Sequence, residues 1–350
     1  TRKSPVGAFE SFGNSRFISI GGWINAIIPI LIVPYYSVIG GWVIKYLIEY
    51  FAGHSKTLAG DAYFTTFISN GWSTEICFII FTLFTLGIIY AGVRNGIERV
   101  SKFMMPILIV LSLIIAVYSV TRPGAIEGVK YFLVPNFDHF SWMTVVSAMG
   151  QMFYSLSIAM GILITFGSYM KKDTSIEKST ENVEIFDTAI AIMAGLMIIP
   201  AVFAFSGGNA ETLKSGPALM FITIPKVFAN MGFGTAIGVV FFLLVLFAAV
   251  TSSIALTESA VSTFEDELHW SRKKSTVFMG MVMLLLGTLS CLGYGPLANF
   301  KILGMQFLDF FDFITNSVMM PIAAIATCLL VSKVVGVDKI EEEIKKDGQA

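Results

Sequence analysis

The chain has 350 residues, of which 55% are hydrophobic and only 13% are charged. A water-soluble protein of this size carries about twice that charged fraction, so composition excludes an ordinary soluble domain. The formal net charge of −1 gives no electrostatic basis for binding nucleic acid.

Eight apolar stretches are long enough to cross a bilayer, which takes about 20 residues. Backbone groups in hydrocarbon must find hydrogen-bond partners within the protein, so each stretch is predicted to be a helix. The predicted spans are residues 20–47, 72–91, 103–120, 142–170, 185–205, 231–256, 277–292 and 313–332. The expected fold class is therefore an all-α membrane protein with about eight transmembrane helices.

Lysine and arginine are divided unevenly among the segments outside these spans. Sixteen lie in the amino-terminal segment and in alternate loops, six lie in the other loops, and Lys45 lies within the first span. Because cytoplasmic loops carry the excess of positive charge, the bias predicts that both termini are cytoplasmic. We therefore expect a multi-pass protein of the plasma membrane, in a bacterium the inner membrane.

The fourth span, at about 29 residues, is too long for one straight helix and contains no charge. Its middle, from Ser155 to Gly161, mixes small and hydroxyl-bearing residues. Such a segment suits a broken helix that lines a polar cavity. It also suits one long tilted helix whose serines bond to their own backbone, and composition alone favours the tilted helix.

The loop at 207–230 contains Ser215-Gly216-Pro217 followed by an apolar run from Phe221 to Pro225. Apolar residues are unusual in a loop on the outer face. We therefore predict a re-entrant or lid element rather than a solvated linker.

Five short motifs occur in the order found in the neurotransmitter:sodium symporter family, and the chain resembles the bacterial amino-acid-transporter branch of that family. They are Gly96-Ile97-Glu98-Arg99 with Met105-Pro106, Gly150-Gln151-Met152-Phe153-Tyr154-Ser155-Leu156-Ser157, Thr251-Ser252-Ser253-Ile254-Ala255, Asp266-Glu267-Leu268 with Ser271-Arg272, and Asp309-Phe310-Phe311-Asp312. The resemblance spans nearly the whole chain and rests on their order and topology, since no single motif is specific.

The resemblance implies one transporter domain over residues 1–350, with the inverted-repeat fold of the leucine-transporter type, a family that is itself an example of this architecture. By this match the chain runs from the family's third helix to its tenth. The first repeat is then expected to lack two helices, and one or two helices are expected to be absent after the tenth.

Two sodium sites are implied by the resemblance. Ala248, Thr251 and Ser252 resemble the second site, while Ser155 and Asp187 resemble contributors to the first. Asp187 is placed near the start of the fifth span, where it could supply the fixed negative charge found in chloride-independent family members. Without the resemblance, the first three would be interpreted as a packing face of small residues, and Asp187 as a solvated helix-start residue or a partner of Lys178.

The substrate pocket implied by the resemblance lies beside the broken helix. Tyr36 resembles the tyrosine that contacts the substrate carboxylate, and Tyr154 resembles the aromatic lid. The residues assigned to the pocket are Ile32, Tyr36, Tyr154, Ser157, Met160, Ser252 and Leu256. Their character suggests an amino acid with an apolar or aromatic side chain. An ordinary helix-bundle core is the alternative.

Three residues resemble parts of the gates that close the family's pathway on either side. Asp312 resembles the extracellular gate residue, Asp266 resembles the cytoplasmic one, and Tyr169 is expected to buttress the cytoplasmic gate. The alternative is that both carboxylates are interfacial charges in water. No role is predicted for Glu258.

These observations favour sodium-coupled amino-acid symport by alternating access, with co-transported sodium ions and no organic cofactor. The alternative is a truncated, non-transporting membrane protein or binding scaffold. An enzyme is not expected, because no motif pairs a base with a nucleophile, and His54, His139 and His269 fall in loops or at span ends. Cys77, Cys291 and Cys328 lie far apart in apolar runs, which indicates core packing rather than a disulfide or metal framework.

Overall fold

The computed structural model describes residues 1–13, 15–171, 174–209, 211, 213 and 216–346. Lys172 and Lys214 of the charge count, and Ser215 of the outer loop, lie outside these residues. The helices of the described part are α1 (Pro5–Glu10), α2 (Arg16–Phe51), α3 (Ser55–Leu58), α4 (Tyr63–Ser69), α5 (Gly71–Tyr90), α6 (Arg99–Val120), α7 (Ala125–Leu133), α8 (Trp142–Ser155), α9 (Ile162–Tyr169), α10 (Ile176–Ser206), α11 (Ile224–Ala229), α12 (Gly234–Glu267), α13 (Arg272–Leu292), α14 (Phe307–Asp312), α15 (Met320–Leu329) and α16 (Val337–Lys346).

Within the described residues, seven continuous helical segments are long and apolar enough to cross a membrane. They correspond to seven of the eight predicted spans. Wider π-helical turns extend two of them, because Val93–Glu98 precedes α6 and Phe313–Met319 joins α14 to α15. The eighth predicted span is divided between α8 and α9, neither of which is long enough to cross alone.

Several predicted boundaries are wrong, because the helices continue past the apolar residues. α10 begins at Ile176, nine residues before the predicted start, and α12 ends at Glu267, eleven residues after the predicted end. The early start of α10 has a capping signal, since the Ser175 side chain accepts a hydrogen bond from the backbone N–H of Lys178. Hydropathy marks where the bilayer ends, and a capped helix can extend into water beyond it.

The core forms around α2, which packs against α5, α12 and α13. Close approach of α2 to α5 requires Gly41, because a Cβ there would lie 2.6 Å from the backbone nitrogen of Phe78. Without a hydrophobic driving force in lipid, such close backbone contact is a main source of helix association. This packing holds α12 against the centre of the bundle.

Contacts between segment ends group them into two faces. On one face the backbone N–H of Ser4 donates to Asp266, at the end of α12. On the other face Lys226 and Asp61 form an ion pair, and Thr288 donates to Glu75 at 2.5 Å. The first two of these contacts each join segments that the charge count places in the same group. Which face is cytoplasmic stays a prediction.

The apolar part of the loop at 207–230 folds into the bundle. Leu219–Thr223 and α11 form a continuous helical element, of which Phe221 and Val227 are buried. The Phe221 ring stacks on Phe64 at 5.2 Å between centroids, and its carbonyl accepts a 2.7 Å hydrogen bond from the Tyr46 hydroxyl. The prediction that this segment is not a solvated linker agrees with this packing.

Candidate functional site

The fourth predicted span is broken between α8 and α9, so the single tilted helix favoured by composition alone is wrong. Residues 156–161 form turns, and three of them have positive φ: Ser157 (55°), Ala159 (61°) and Gly161 (71°). Positive φ is uncommon for residues with a Cβ, and outliers of this kind cluster at functional sites. The break frees backbone groups from the helical ladder beside a cavity.

Gly161 closes the break at the start of α9, and two constraints require glycine there. Its φ of 71° is left-handed, and a Cβ would lie 2.8 Å from the carbonyl oxygen of Asn25. The broken segment is thereby held against α2.

Gly161→Ala is expected to lower the stability of the folded protein, because the added methyl meets fixed backbone while φ stays left-handed. The cost is expected to be about 1–3 kcal/mol. Gly150→Ala in α8 is the matched control, because a Cβ there has open space around it and should change stability little. The measurement is the fraction that stays monodisperse in detergent after heating. Equal behaviour of the two variants would show that the break tolerates a Cβ.

A cavity of about 470 Å³ lies between the broken segment, α2 and α12. All seven residues assigned to the substrate pocket line it: Ile32, Tyr36, Tyr154, Ser157, Met160, Ser252 and Leu256. Ile32, Met160 and Leu256 are buried and form an apolar wall. Tyr36 and Ser252 bring two hydroxyl groups to the lining of the same cavity.

Four further lining residues were not predicted, namely Met105, Gln151, Ala255 and Ile162. Gln151 and Ala255 lie within the motifs that suggested the family, and Ala255 shares a helix face with Thr251 and Ser252 by its spacing. None of the thirteen described lining residues carries a charge. The cavity therefore suits a ligand that presents an uncharged group to these lining residues.

Ser155 and Asp187 meet at one border of this cavity. The Ser155 hydroxyl donates a 2.6 Å hydrogen bond to Oδ1 of Asp187, and Ser155 also lines the cavity. Asp187 lies three turns into α10, so the alternative interpretation as a helix-start residue is wrong, because α10 begins earlier than its apolar stretch. The contact ties this carboxylate of α10 to the last residue of α8.

Thr251 and Ser252 lie at the border formed by α12, and both line the cavity. The Thr251 hydroxyl bonds back to the carbonyl oxygens of Phe247 and Ala248, each at 3.0 Å. Ala248, Thr251 and Ser252 therefore place one carbonyl and two hydroxyls on one stretch of helix. Oxygens of this kind can replace the water around a cation without burying further charge.

Asp312 lies at the end of α14 and is held by two side chains. Its Oδ1 accepts hydrogen bonds from the Tyr35 hydroxyl at 3.1 Å and from Nδ2 of Asn316 at 2.6 Å. Sequence reasoning selected Tyr36 and missed Tyr35, although both belong to α2. Asp312 is thus exposed but held by one side chain of α2 and one of the helical segment that follows it.

Towards the opposite face, Tyr169 contacts Glu258 and not Asp266 in the described structure. The Tyr169 hydroxyl donates to Oε1 of Glu258 at 2.6 Å. Arg272 donates a hydrogen bond to each oxygen of that carboxylate, at 3.0 and 2.6 Å. The Glu258 side chain is 0% exposed. Glu258, which had no predicted role, is therefore the centre of the ionic cluster, while Asp266 binds the backbone of Ser4.

Comparison with known proteins decides the family. The profile of the sodium:neurotransmitter symporter family matches residues 65–348. The chain belongs to this family. Because its members are transporters, the chain is a transporter and not an enzyme.

Two relatives and one solved structure within the sodium:neurotransmitter symporter family illustrate the similarity. An uncharacterized sodium-dependent transporter of Bacillus subtilis, YhdH, is 33% identical over 332 residues, which cover 94% of this chain and 73% of YhdH. A sodium-dependent transporter of Haemophilus influenzae is 29% identical, over 99% of this chain and 78% of that protein. The crystal structure of MhsT in complex with L-phenylalanine matches with a TM-score of 0.86 and 33% identity, over 98% of this chain and 78% of MhsT.

These matches confirm the predicted fold class, an all-α transporter fold of the leucine-transporter type. They also establish that this member of the sodium:neurotransmitter symporter family is a membrane protein that couples transport to sodium.

Proposed function

We propose that the protein carries an amino acid with an apolar or aromatic side chain across the plasma membrane together with sodium. The observation that supports this most is the uncharged cavity beside the broken helix, with its buried wall of Ile32, Met160 and Leu256. A zwitterionic amino acid with an uncharged side chain would leave no unpaired charge against that wall. MhsT, with the same fold, was crystallised with L-phenylalanine.

The polar part of the amino acid would meet the hydroxyl-bearing side of the cavity. Tyr36 and Ser252 both line that side, and the broken segment supplies freed backbone groups around Ser157. Helix ends at such a break carry partial charges that can hold a carboxylate or an ammonium group. In this proposal Tyr154 covers the bound molecule.

Sodium and substrate would be coupled through shared residues. Ser155 lines the cavity and bonds Asp187 of the proposed first sodium site. Thr251 and Ser252 line it and belong, with Ala248, to the proposed second site. A sodium ion that orders these groups would also raise the affinity for the substrate. The bound substrate would then raise the affinity for sodium by the same factor.

Asp312 and the cluster around Glu258 would gate opposite ends of the pathway. Asp312 is held by Tyr35 and Asn316, and Tyr169 joins α9 to Glu258. Rearrangement of these contacts would favour outward-open or inward-open states in turn. Asp266 would assist on the side that the charge distribution predicts to be cytoplasmic.

Uptake by reconstituted proteoliposomes tests the proposal. We expect accumulation of radiolabelled phenylalanine or leucine driven by an inward sodium gradient, with little uptake when potassium or choline replaces sodium. Glutamate and lysine should not compete, because the cavity offers no charged partner. Competition by charged amino acids as strong as that by leucine would overturn the substrate assignment. Uptake of leucine independent of sodium would overturn the coupling.

Thr251→Val and Ser252→Ala are each expected to raise the sodium concentration needed for half-maximal uptake about tenfold, since each removes one oxygen ligand. Thr257→Val is the control, because Thr257 belongs to the same helix and its hydroxyl bonds back to Ser253 at 2.7 Å, as Thr251 bonds back to Ala248. Unchanged sodium dependence in both site variants would show that the second site lies elsewhere.

A further inference from the structure

A continuous groove runs along the surface between α5 and α13. It consists of two adjoining cavities of about 450 and 460 Å³ that share Tyr90, Val277 and Met281. One end is lined by aromatic and basic side chains, and the other is almost wholly apolar. A molecule that filled both would have a polar head and a hydrocarbon tail.

The apolar end faces outward, where lipid would be. Leu83, Val277 and Met281 are each more than half exposed. Gly87 opens the groove, because nothing lies within 4 Å of the position a Cβ would take there. An acyl chain lying along this end would exchange one hydrocarbon environment for another, so its preference for the groove over bulk lipid would depend on van der Waals contact and shape.

The basic end offers two positive charges at the start of α13. Nζ of Lys274 lies 4.0 Å from the ring centroid of Trp270, and Nζ of Lys273 lies 5.7 Å from that of Tyr90. In the described part of the chain neither lysine forms a salt bridge, whereas the preceding Arg272 forms one with Glu258. Aromatic rings beside lysines are typical of the membrane–water interface.

We propose that this groove binds one anionic phospholipid, such as phosphatidylglycerol. Its phosphate would lie between Lys273 and Lys274, and one acyl chain would follow the apolar end past Met281. The groove favours an anionic lipid because no acidic side chain lines its described part to attract a choline or ethanolamine group. The lysines belong to the face that the charge distribution predicts to be cytoplasmic, so the lipid would come from the inner leaflet.

Native mass spectrometry of the purified protein tests this, with titration of phosphatidylglycerol or phosphatidylcholine in mixed micelles. Wild type should retain one phosphatidylglycerol in preference to phosphatidylcholine. The double variant Lys273→Gln/Lys274→Gln should weaken phosphatidylglycerol retention about 30-fold, as expected for two lysines near a phosphate. The control Lys333→Gln/Lys339→Gln removes two exposed lysines predicted to lie on the same face and should change retention little.

A second variant tests the groove without changing charge. Gly87→Leu has space for its side chain and should also weaken phosphatidylglycerol retention, because it fills the apolar end. Equal loss in the two double lysine variants would show diffuse surface attraction and overturn the proposal. Equal retention of phosphatidylcholine by wild type, or unchanged retention in Gly87→Leu, would overturn it as well. None of these outcomes depends on transport of an amino acid.

Discussion

Replacing Asp187 with serine is expected to lower sodium-driven uptake about 100-fold in chloride-free buffer, and to make the remaining transport depend on chloride. The carboxylate is hydrogen-bonded to Ser155 at the border of the cavity. Loss of a charged partner at a site that must hold a cation costs ~1.5–3 kcal/mol, which at its upper end is about 100-fold. The measurement is initial uptake with sodium chloride against sodium gluconate.

The control for this prediction is Glu184→Ser. Glu184 belongs to the same helix, one turn before Asp187, and is exposed. It should retain wild-type uptake in both buffers, since it does not reach the cavity. Chloride could replace the carboxylate only in a variant that leaves space for an anion, which serine does. Full activity of Asp187→Ser without chloride would remove Asp187 from the first sodium site.

The positions of the spans were predictable because hydropathy reports directly on the bilayer. Each of the eight apolar stretches corresponds to helical structure. Helix ends were not predictable from the same signal. α10 starts in polar residues at Ile176 and α12 ends at Glu267, where hydrogen bonding and caps, rather than lipid, decide where the helix ends.

The cavity was predictable only through the family resemblance. Composition favoured a continuous fourth span, because serines can bond to their own helix. Left-handed backbone at Ser157 and Ala159 has no composition signal. The break was predicted from the family motif around Gln151 and Ser155 and not from local propensity. The tertiary contact of Gly161 with α2 then helps to hold the broken segment in place.

The Glu258 cluster was missed for a different reason. Glu258 and Arg272 are 14 residues apart, and their meeting depends on how α12 and α13 pack after the turn between them. A signal did exist, because Glu258 follows the sixth predicted span by only two residues, and a carboxylate that is buried there needs a partner. Arg272 is the first arginine after that span. Pairing the two would have been a sound prediction.

Arg272→Met is expected to destabilise the folded protein by about 3–5 kcal/mol, because it leaves the fully buried Glu258 carboxylate without its cation. Removal of the side chain also takes away the 2.9 Å hydrogen bond from Nε of Arg272 to the carbonyl of Ile89, which ties α13 to the end of α5. The measurement is the temperature at which half of the detergent-solubilised protein remains monodisperse.

Two further variants distinguish the stability lost by breaking a buried ion pair from the stability lost by removing any charged side chain. Lys102→Met breaks an exposed pair with Glu98 and should change stability little, because water and salt screen that pair. Glu258→Gln/Arg272→Met removes both charges and should recover much of the stability lost in Arg272→Met, since no uncompensated charge remains. If Arg272→Met were no less stable than Lys102→Met, Glu258 would not be an ionised group at the centre of this cluster. Tyr169 would then hold α9 to α12 through a neutral hydrogen bond, and the proposed gate at this face would have no ionic part at Glu258.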